Sequence, residues 1–583
     1  MVPIWIFILH VSAYLGIGLW AAVYAFRYRY VPRQFIVLAA FGVISILYYI
    51  VFFITLFSPG IGQWTNYLMH IIGWGLTLYA LYQYSRRPKN KTLIYFVFLP
   101  LSLMMLMAGY YSIVLSSCRL VVPLGQKQDN STYCHIQFLP ADNALPYLYA
   151  KNIVLHKPDV LISDWKLVDR PPIQIGAGLS VLQLSRQDPN DTKSKVAYTS
   201  YQLIGTFLQL SWIAAIFGML YTLGLKLRDI ILSIGALGMV GFIYLNTIFV
   251  WPKFLAASLV LMGCILLFDT RSKNYKRTLV TAAGAFALGL LIHDGILFSV
   301  LGTLAVLGFV MLKDSFIGPK KKRQPLPIKQ ILIGLLAGAV LLAPWFIYKS
   351  NHSSSDRLLK WHLAGIVVPD SRTTTQTIID SYKTLTPRTW FEGRKANAKM
   401  LYMPMQKEEV TSAIKAAGPS VPKLKVALKH LAIFNQVNDF FIVFMAFGIF
   451  NLGWFVAFSK RNRKELTVIE KRLLIATAIA VVVWVIIMFL PNSTVIHQGS
   501  YATMLIILGL LTTWLARNNL ILPIYIIQTF LFVVLWVIGS FAKFDLSTYK
   551  AWPAVLATFC VMSIYLGLAR VTSKLKLPTR YLH

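Results

Sequence analysis

The sequence predicts an all-α, polytopic bundle of about 13–15 transmembrane helices with two long extracytoplasmic loops, and three observations predict it. Of the 583 residues, 57% are hydrophobic and 13% charged, and the mean hydropathy of +0.63 lies well past that of a soluble domain. The apolar residues fall in repeated runs of about 20, the length a helix needs to cross a hydrocarbon core of about 30 Å, where a barrel would show short alternating segments. The net charge of +35, from 56 Lys and Arg against 21 Asp and Glu, falls largely in short loops between the runs. That is the positive-inside pattern, so the charge reads as topology and no nucleic-acid partner is expected.

Taken in order, apolar windows place helices near 3–26, 35–57, 64–84 and 93–116. The first has no basic residue before it and no small-residue cleavage pattern after it, which predicts a retained helix and not a signal peptide. Windows at 201–224, 230–249, 252–268, 278–293, 295–312 and 328–348 form a central group, and 432–458, 472–490, 500–516, 520–541 and 551–569 a last one. The pair 278–293 and 295–312 is short and separated by His293, Asp294 and Gly295, so it reads as two helices or a hinge. Arg27, Arg29 and Arg33, then Arg86 to Lys91, then Lys226 and Arg228 follow odd-numbered helices. They set the N-terminus outside the cell membrane and the C-terminus in the cytoplasm.

That parity divides the chain into 1–117, a four-helix membrane segment; 118–200, a first long extracytoplasmic loop; 201–348, central membrane helices; 349–431, a second loop; and 432–583, C-terminal membrane helices. The second loop holds 14 Lys or Arg against 6 Asp or Glu between Lys349 and Leu431. Long translocated loops are largely exempt from the charge rule, so a lipid headgroup or phosphate partner is one reading and a solvated basic face the other. Cys118 and Cys134 share the first loop and can bridge if it faces an oxidising compartment, whereas Cys264 and Cys560 lie in apolar runs.

Chemistry is expected in Pro140 to Gly178, which gathers Asp142, Lys151, Asp164, Asp169 and Arg170 between membrane-length runs. Asp142 precedes an amphipathic stretch, Leu145 to Val154, and is placed either to cap that helix or, partly desolvated at the interface, to act as a general base. Asp169 and Arg170 stand directly before Pro171 and Pro172, which stiffen the backbone and restrict both side chains. On the same expected side lie Lys253, His293, and His497 with Tyr501, and ionisable groups at membrane depth are functional by default. Arg357 and Lys360, three residues apart, would share a helix face and grip a phosphate or snorkel at the interface. No nucleotide-phosphate loop, compact metal motif or GxSxG elbow is present in the sequence.

These pieces resemble the GT-C class of integral-membrane glycosyltransferases, which includes the protein O-mannosyltransferases and the aminoarabinose transferase of lipid A. The matching stretches are PADNALPYLYAKNI, the later DW and DRPP, WPKFLAA, GAFALGLLIHDGILF and HQGSYA, spread over residues 120 to 510. Four helices precede the acidic loop where that class usually has one, and no DxD pair is present. The resemblance implies a sugar donor carried on a polyprenyl phosphate, an extracytoplasmic site, and an essential acid near the start of the first loop, the place Asp142 holds here.

The expectation is therefore an inverting transferase that passes a sugar from a polyprenyl-phosphate donor to a cell-envelope glycan, lipid or protein acceptor. Asp142 would be the base, with Asp169 and Asp164 as substitutes, and Arg170, Lys253, Arg357 and Lys360 would stabilise the departing phosphate. His293, His497 and Tyr501 complete the expected substrate-binding set. A lipid phosphate already leaves readily, so no metal is required; carboxylate ligands would favour Mg²⁺ or Mn²⁺ if one is used. The alternatives are a lipid-linked saccharide transporter or flippase and a polysaccharide polymerase or ligase.

Overall fold

The computed structural model describes residues 2–86, 91–116, 143–162, 165–186, 196–269, 275–317, 327–352, 356–366, 370–400, 407–416, 448–459, 466–489, 501–538 and 552–575. Asp142, Asp164, His497, Cys118 and Cys134 lie outside them. Among the described residues the structure is helical and contains no strand. The chain opens with α1 (Val2–Arg27), α2 (Ile36–Phe57), α3 (Pro59–Arg86) and α4 (Leu99–Ser116). Two short helices follow, α5 (Leu145–Val154) and α6 (Pro172–Ser185). The central group is α7 (Val196–Gln209), α8 (Ser211–Thr222), α9 (Leu227–Gly238), α10 (Gly241–Ile248), α11 (Lys253–Phe268), α12 (Tyr275–Ile292), α13 (Leu297–Leu312) and α14 (Ile328–His352). Polar helices α15 (Arg357–Ala364), α16 (Thr374–Lys383), α17 (Pro387–Met400) and α18 (Lys407–Ala416) come next. The last described elements are α19 (Leu452–Phe458), α20 (Val468–Ile487), α21 (Tyr501–Arg517), α22 (Ile521–Phe532) and α23 (Trp552–Thr572).

Seven helices among the described residues are long and apolar enough to cross a membrane, or eight if the bent pair α9 and α10 counts as one span. The chain is a multi-pass membrane protein, but fewer of its helices reach bilayer length than the fifteen apolar windows predict. The window 230–249 is two helices that meet at 72°, and the window 252–268 is the 16-residue α11, about 24 Å long at 1.5 Å per residue. Hydropathy registers burial, and a helix sheathed by protein is as apolar as one in lipid without having to match the bilayer's thickness. Every residue of α11 is buried, as are Tyr501 to Ala516 of α21 and Ser211 to Tyr221 of α8. Of the bilayer-length spans, 196–222 and 33–57 are themselves mostly buried, whereas α14 leaves Leu332, Leu335, Leu336, Val340, Phe346 and Ile347 exposed.

Close helix crossings hold the N-terminal half together. A Cβ on Gly73 of α3 would run into the Ala13 carbonyl of α1, and one on Gly176 of α6 into the Tyr48 carbonyl of α2. Backbones approach this closely only where a small residue removes the side chain between them. A buried polar chain crosses the same helices. The Asn66 carbonyl takes the His70 Nδ1 proton (2.7 Å), so His70 Nε2 accepts from His10 Nδ1 (3.1 Å) and His10 Nε2 accepts from the Tyr48 hydroxyl (2.8 Å). Tyr14 donates to Asn66 Oδ1 at 2.8 Å and pairs with the Ser180 hydroxyl at 3.0 Å, which extends the chain to α6. With every ring nitrogen of the two histidines engaged, this is a pin between α1, α2, α3 and α6.

Basic side chains gather at one end of the bundle and close helix C-termini there. Arg277 donates to the Tyr28 carbonyl after α1 (2.7 Å), Arg472 to the Phe268 carbonyl at the end of α11 (2.9 Å), and Arg517 to the Leu223 carbonyl after α8 (3.0 Å). A cation at these positions meets orphan carbonyls and the negative end of the helix dipole together. Arg517 also pairs at 2.8 Å with Glu470, whose carboxylate is fully buried and accepts the Trp514 indole N–H as well. The start of α11, the end of α12 and the start of α21 meet at the opposite end of the bundle.

Candidate functional site

At that opposite end, five separate parts of the chain converge: the 165–171 turn, the α10–α11 connection, the break between α12 and α13, the end of α14 with the start of α15, and the first residue of α21. The turn is set locally. Leu167–Asp169 forms one 3-10 turn in which Asp169 Oδ2 accepts the Lys166 backbone N–H at 2.9 Å, and Pro172 starts α6. Pro is favoured there because the first helical residue has no use for its N–H. Arg170 is therefore delivered from a rigid corner. Its guanidinium lies 4.2 Å from the Trp165 ring and 5.0 Å from Trp251, and Arg357 lies 4.6 Å from the same Trp165 ring. Two cations thus share one indole, with Trp361 6.2 Å from it.

The α10–α11 connection is fixed by side chains. Gln209 Oε1 accepts the Phe254 and Leu255 N–H groups (2.8 and 3.1 Å), which closes the start of α11. Asn143 accepts the Val250 N–H at 2.9 Å and donates to Gln202 at 2.9 Å. Lys253, only 3% exposed, donates to the Tyr501 hydroxyl at 2.9 Å and lies against the Phe249 and Tyr501 rings. His293 caps the turn that follows it through Nδ1, which accepts the Gly295 N–H at 3.0 Å, and its ring stands edge-on to Trp251 at 6.5 Å.

Carboxylates face this aromatic and cationic wall. Lys349, in the last turn of α14, is ion-paired with Asp356 and has Asp294 and Asp169 as further charge neighbours. Burial lifts the pKa of Asp169 above the ordinary carboxylate range, opposed by the Lys166 N–H and by Arg170, with Asp356 adding to the rise. Among the described residues no three His, Cys, Asp or Glu side chains converge to hold a metal ion.

Of the residues expected from sequence, Asp169, Arg170, Lys253, His293, Arg357 and Tyr501 are thus brought to one end of the bundle. Asp142, Asp164 and His497 lie outside the described residues. Lys360 does not join the others: its ammonium turns away to the carbonyls of Asp370 and Arg372, where it is buried. Three residues of spacing gave it a shared face with Arg357, but its long stem reaches the 370–372 loop instead, and it serves as a tie. That loop is further held by Asp370, whose hydrogen bonds from the side chain and backbone N–H of Arg372 keep its pKa well below the usual carboxylate range. Lys151 is half-buried on α5. Sequence reasoning did not single out Lys349, Trp165, Trp251 or Asn143 as site residues. The signal that would have found Lys349 is its position in the last turn of an apolar helix, about one and a half turns past Pro344 and directly before a polar segment.

Cys264 is buried with its Sγ 3.1 Å from the Thr303 hydroxyl, and Cys560 is exposed on α23. Comparison with known protein families, with curated proteins and with solved structures finds no match to this chain.

Proposed function

We propose that the chain is a membrane glycosyltransferase that moves a sugar from a polyprenyl-phosphate donor to an acceptor at the extracytoplasmic face, with inversion. The observation that carries this reading is the shared placement of Arg170 and Arg357 on the Trp165 ring, with Arg170 also against Trp251, near a group of carboxylates around Lys349. Each part matches a need of the reaction. Indole faces stack on sugar rings, cations stabilise the charge that develops on the phosphate as the glycosyl bond breaks, and a carboxylate takes the acceptor's proton. The phosphate leaves with its bonding electron pair, so the protein has to supply positive charge there but no proton.

The transporter reading draws on one feature, the break between α9 and α10, because unwound helices line substrate paths in transporters. Here the freed carbonyls of Gly238 and Met239 accept hydrogen bonds from the Tyr111 hydroxyl and Gln528, both at 2.8 Å. The break is filled with side chains. The test is release of free polyprenyl phosphate from polyprenyl-phosphate hexoses and pentoses by the purified protein, with Arg170→Ala and Arg357→Ala beside it. We expect release by the wild type and a loss of about 10²–10³ in rate for Arg170→Ala, as for removal of a group that stabilises a developing anion. Binding of the donor with no release, in all three proteins, would replace this reading with the transporter.

A further inference from the structure

We infer that Asp294 is the general base of the transfer, a deepening that rests on the transferase reading above. Three described carboxylates have Lys349 as a charge neighbour, and two of them are committed elsewhere. Asp356 uses Oδ1 to cap α15 through the Leu359 N–H at 3.0 Å and Oδ2 to hold Lys349. Asp169 is 4% exposed and spends Oδ2 on the Lys166 N–H. Asp294 differs on both counts. Its side chain is exposed although both neighbouring residues are buried, and among the described residues its carboxylate accepts no hydrogen bond.

Its backbone is held firmly all the same. The preceding His293 caps the turn, and the His293 ring packs on Trp251, which in turn faces Arg170. A side chain that is free at its tip and fixed at its root is what proton transfer to a bound substrate asks for. Lys349 and Arg170 are charge neighbours of Asp294, which places the base next to the cations assigned to the phosphate.

The step balances without a co-reactant. Asp294 Oδ takes the proton of the acceptor hydroxyl, the acceptor oxygen forms the new bond to the anomeric carbon, and the anomeric carbon–phosphate oxygen bond breaks with its electron pair going to the phosphate. Asp294 then returns the proton to water.

The experiment measures release of polyprenyl phosphate and transfer to native membrane vesicles from decaprenyl-phosphate mannose, glucose and arabinose. Wild type, Asp294→Asn, Asp294→Glu and Asp142→Asn are compared across pH, with thermal stabilisation by decaprenyl phosphate as the check on folding and donor binding. We expect Asp294→Asn to lose about 10²–10⁴ in rate, to keep its stabilisation by decaprenyl phosphate, and to lose the acidic limb of the pH profile, with partial recovery in Asp294→Glu. Transfer by Asp294→Asn within tenfold of wild type would overturn the assignment; loss in Asp142→Asn alone would then give the role to Asp142 and leave the transferase standing. No release from any donor by the wild type would remove both.

Discussion

At the residue scale, Asp169 shows how one side chain is drawn in two directions. Its burial disfavours the carboxylate and the Lys166 N–H favours it, and burial is the larger effect. A carboxyl whose folded pKa is raised contributes stability that is complete below its unfolded pKa and is lost as pH rises through the folded one. Asp169→Asn keeps an oxygen for the Lys166 N–H and cannot ionise. Its melting temperature relative to wild type should therefore climb as pH is raised from the unfolded carboxyl range to neutrality, read by thermal melts in detergent; a flat difference would show that Asp169 titrates normally. Asp370 behaves in the opposite sense. Held ionised by Arg372, it contributes stability above its unfolded pKa that fades as pH falls towards its depressed folded value. Neither residue's direction could be taken from sequence, because Asp169 beside Arg170 and Asp370 two residues from Arg372 look alike as letters. What separates them is tertiary: Asp169 is buried, whereas Asp370 accepts hydrogen bonds from the side chain and backbone N–H of Arg372.

At the scale of elements, the helix ends decide more than the helix interiors. Apolar stretches specify where helices run, and the start of α20 was written in a capping box, Thr467 with Glu470. Only in the fold does the same Glu470 also take the Trp514 indole N–H and Arg517, tying α20 to α21 and, through the Leu223 carbonyl, to α8. Arg517→Ala should leave that buried carboxylate uncompensated and cost about 2–4 kcal/mol, below the figure for a fully buried pair because Arg517 is partly exposed. Glu470→Gln, which keeps one acceptor oxygen for the Trp514 N–H, gives up the Thr467 cap and removes the charge, should cost less. Reversible unfolding in mixed micelles reads both, and a smaller loss for Arg517→Ala than for Glu470→Gln would show that the pair adds nothing to the cap. The opposite end of α20 is closed by the second long loop. Asn397 and Arg394 of α17 donate to the carbonyls of Val485, Ile486 and Met488, so this loop is anchored to the bundle and not tethered only at its two ends.

At the scale of the whole molecule, the two ends of the bundle carry different chemistry, one closed by arginines on helix C-termini and the other holding the aromatic, cationic and acidic group. On the positive-inside expectation the first would face the cytoplasm. In a variant with its four native cysteines replaced, His156→Cys should react with an impermeant maleimide in intact cells and Arg228→Cys only after permeabilisation. The reverse pattern would turn the site to the cytoplasm and remove a donor presented from outside. By itself the sequence determined the all-helical membrane class, the hinge at His293 to Gly295, the α5 segment and the set of polar residues worth watching, because hydropathy and charge act locally and leave their mark on every window. Helix length, the 72° break, the diversion of Lys360 and the exposure of Asp294 with no hydrogen bond to its carboxylate among the described residues were decided only by tertiary structure. The reason is physical: burial and hydrogen-bond commitment belong to pairs of residues up to hundreds apart, such as Lys253 and Tyr501, and no single stretch of chain contains both partners.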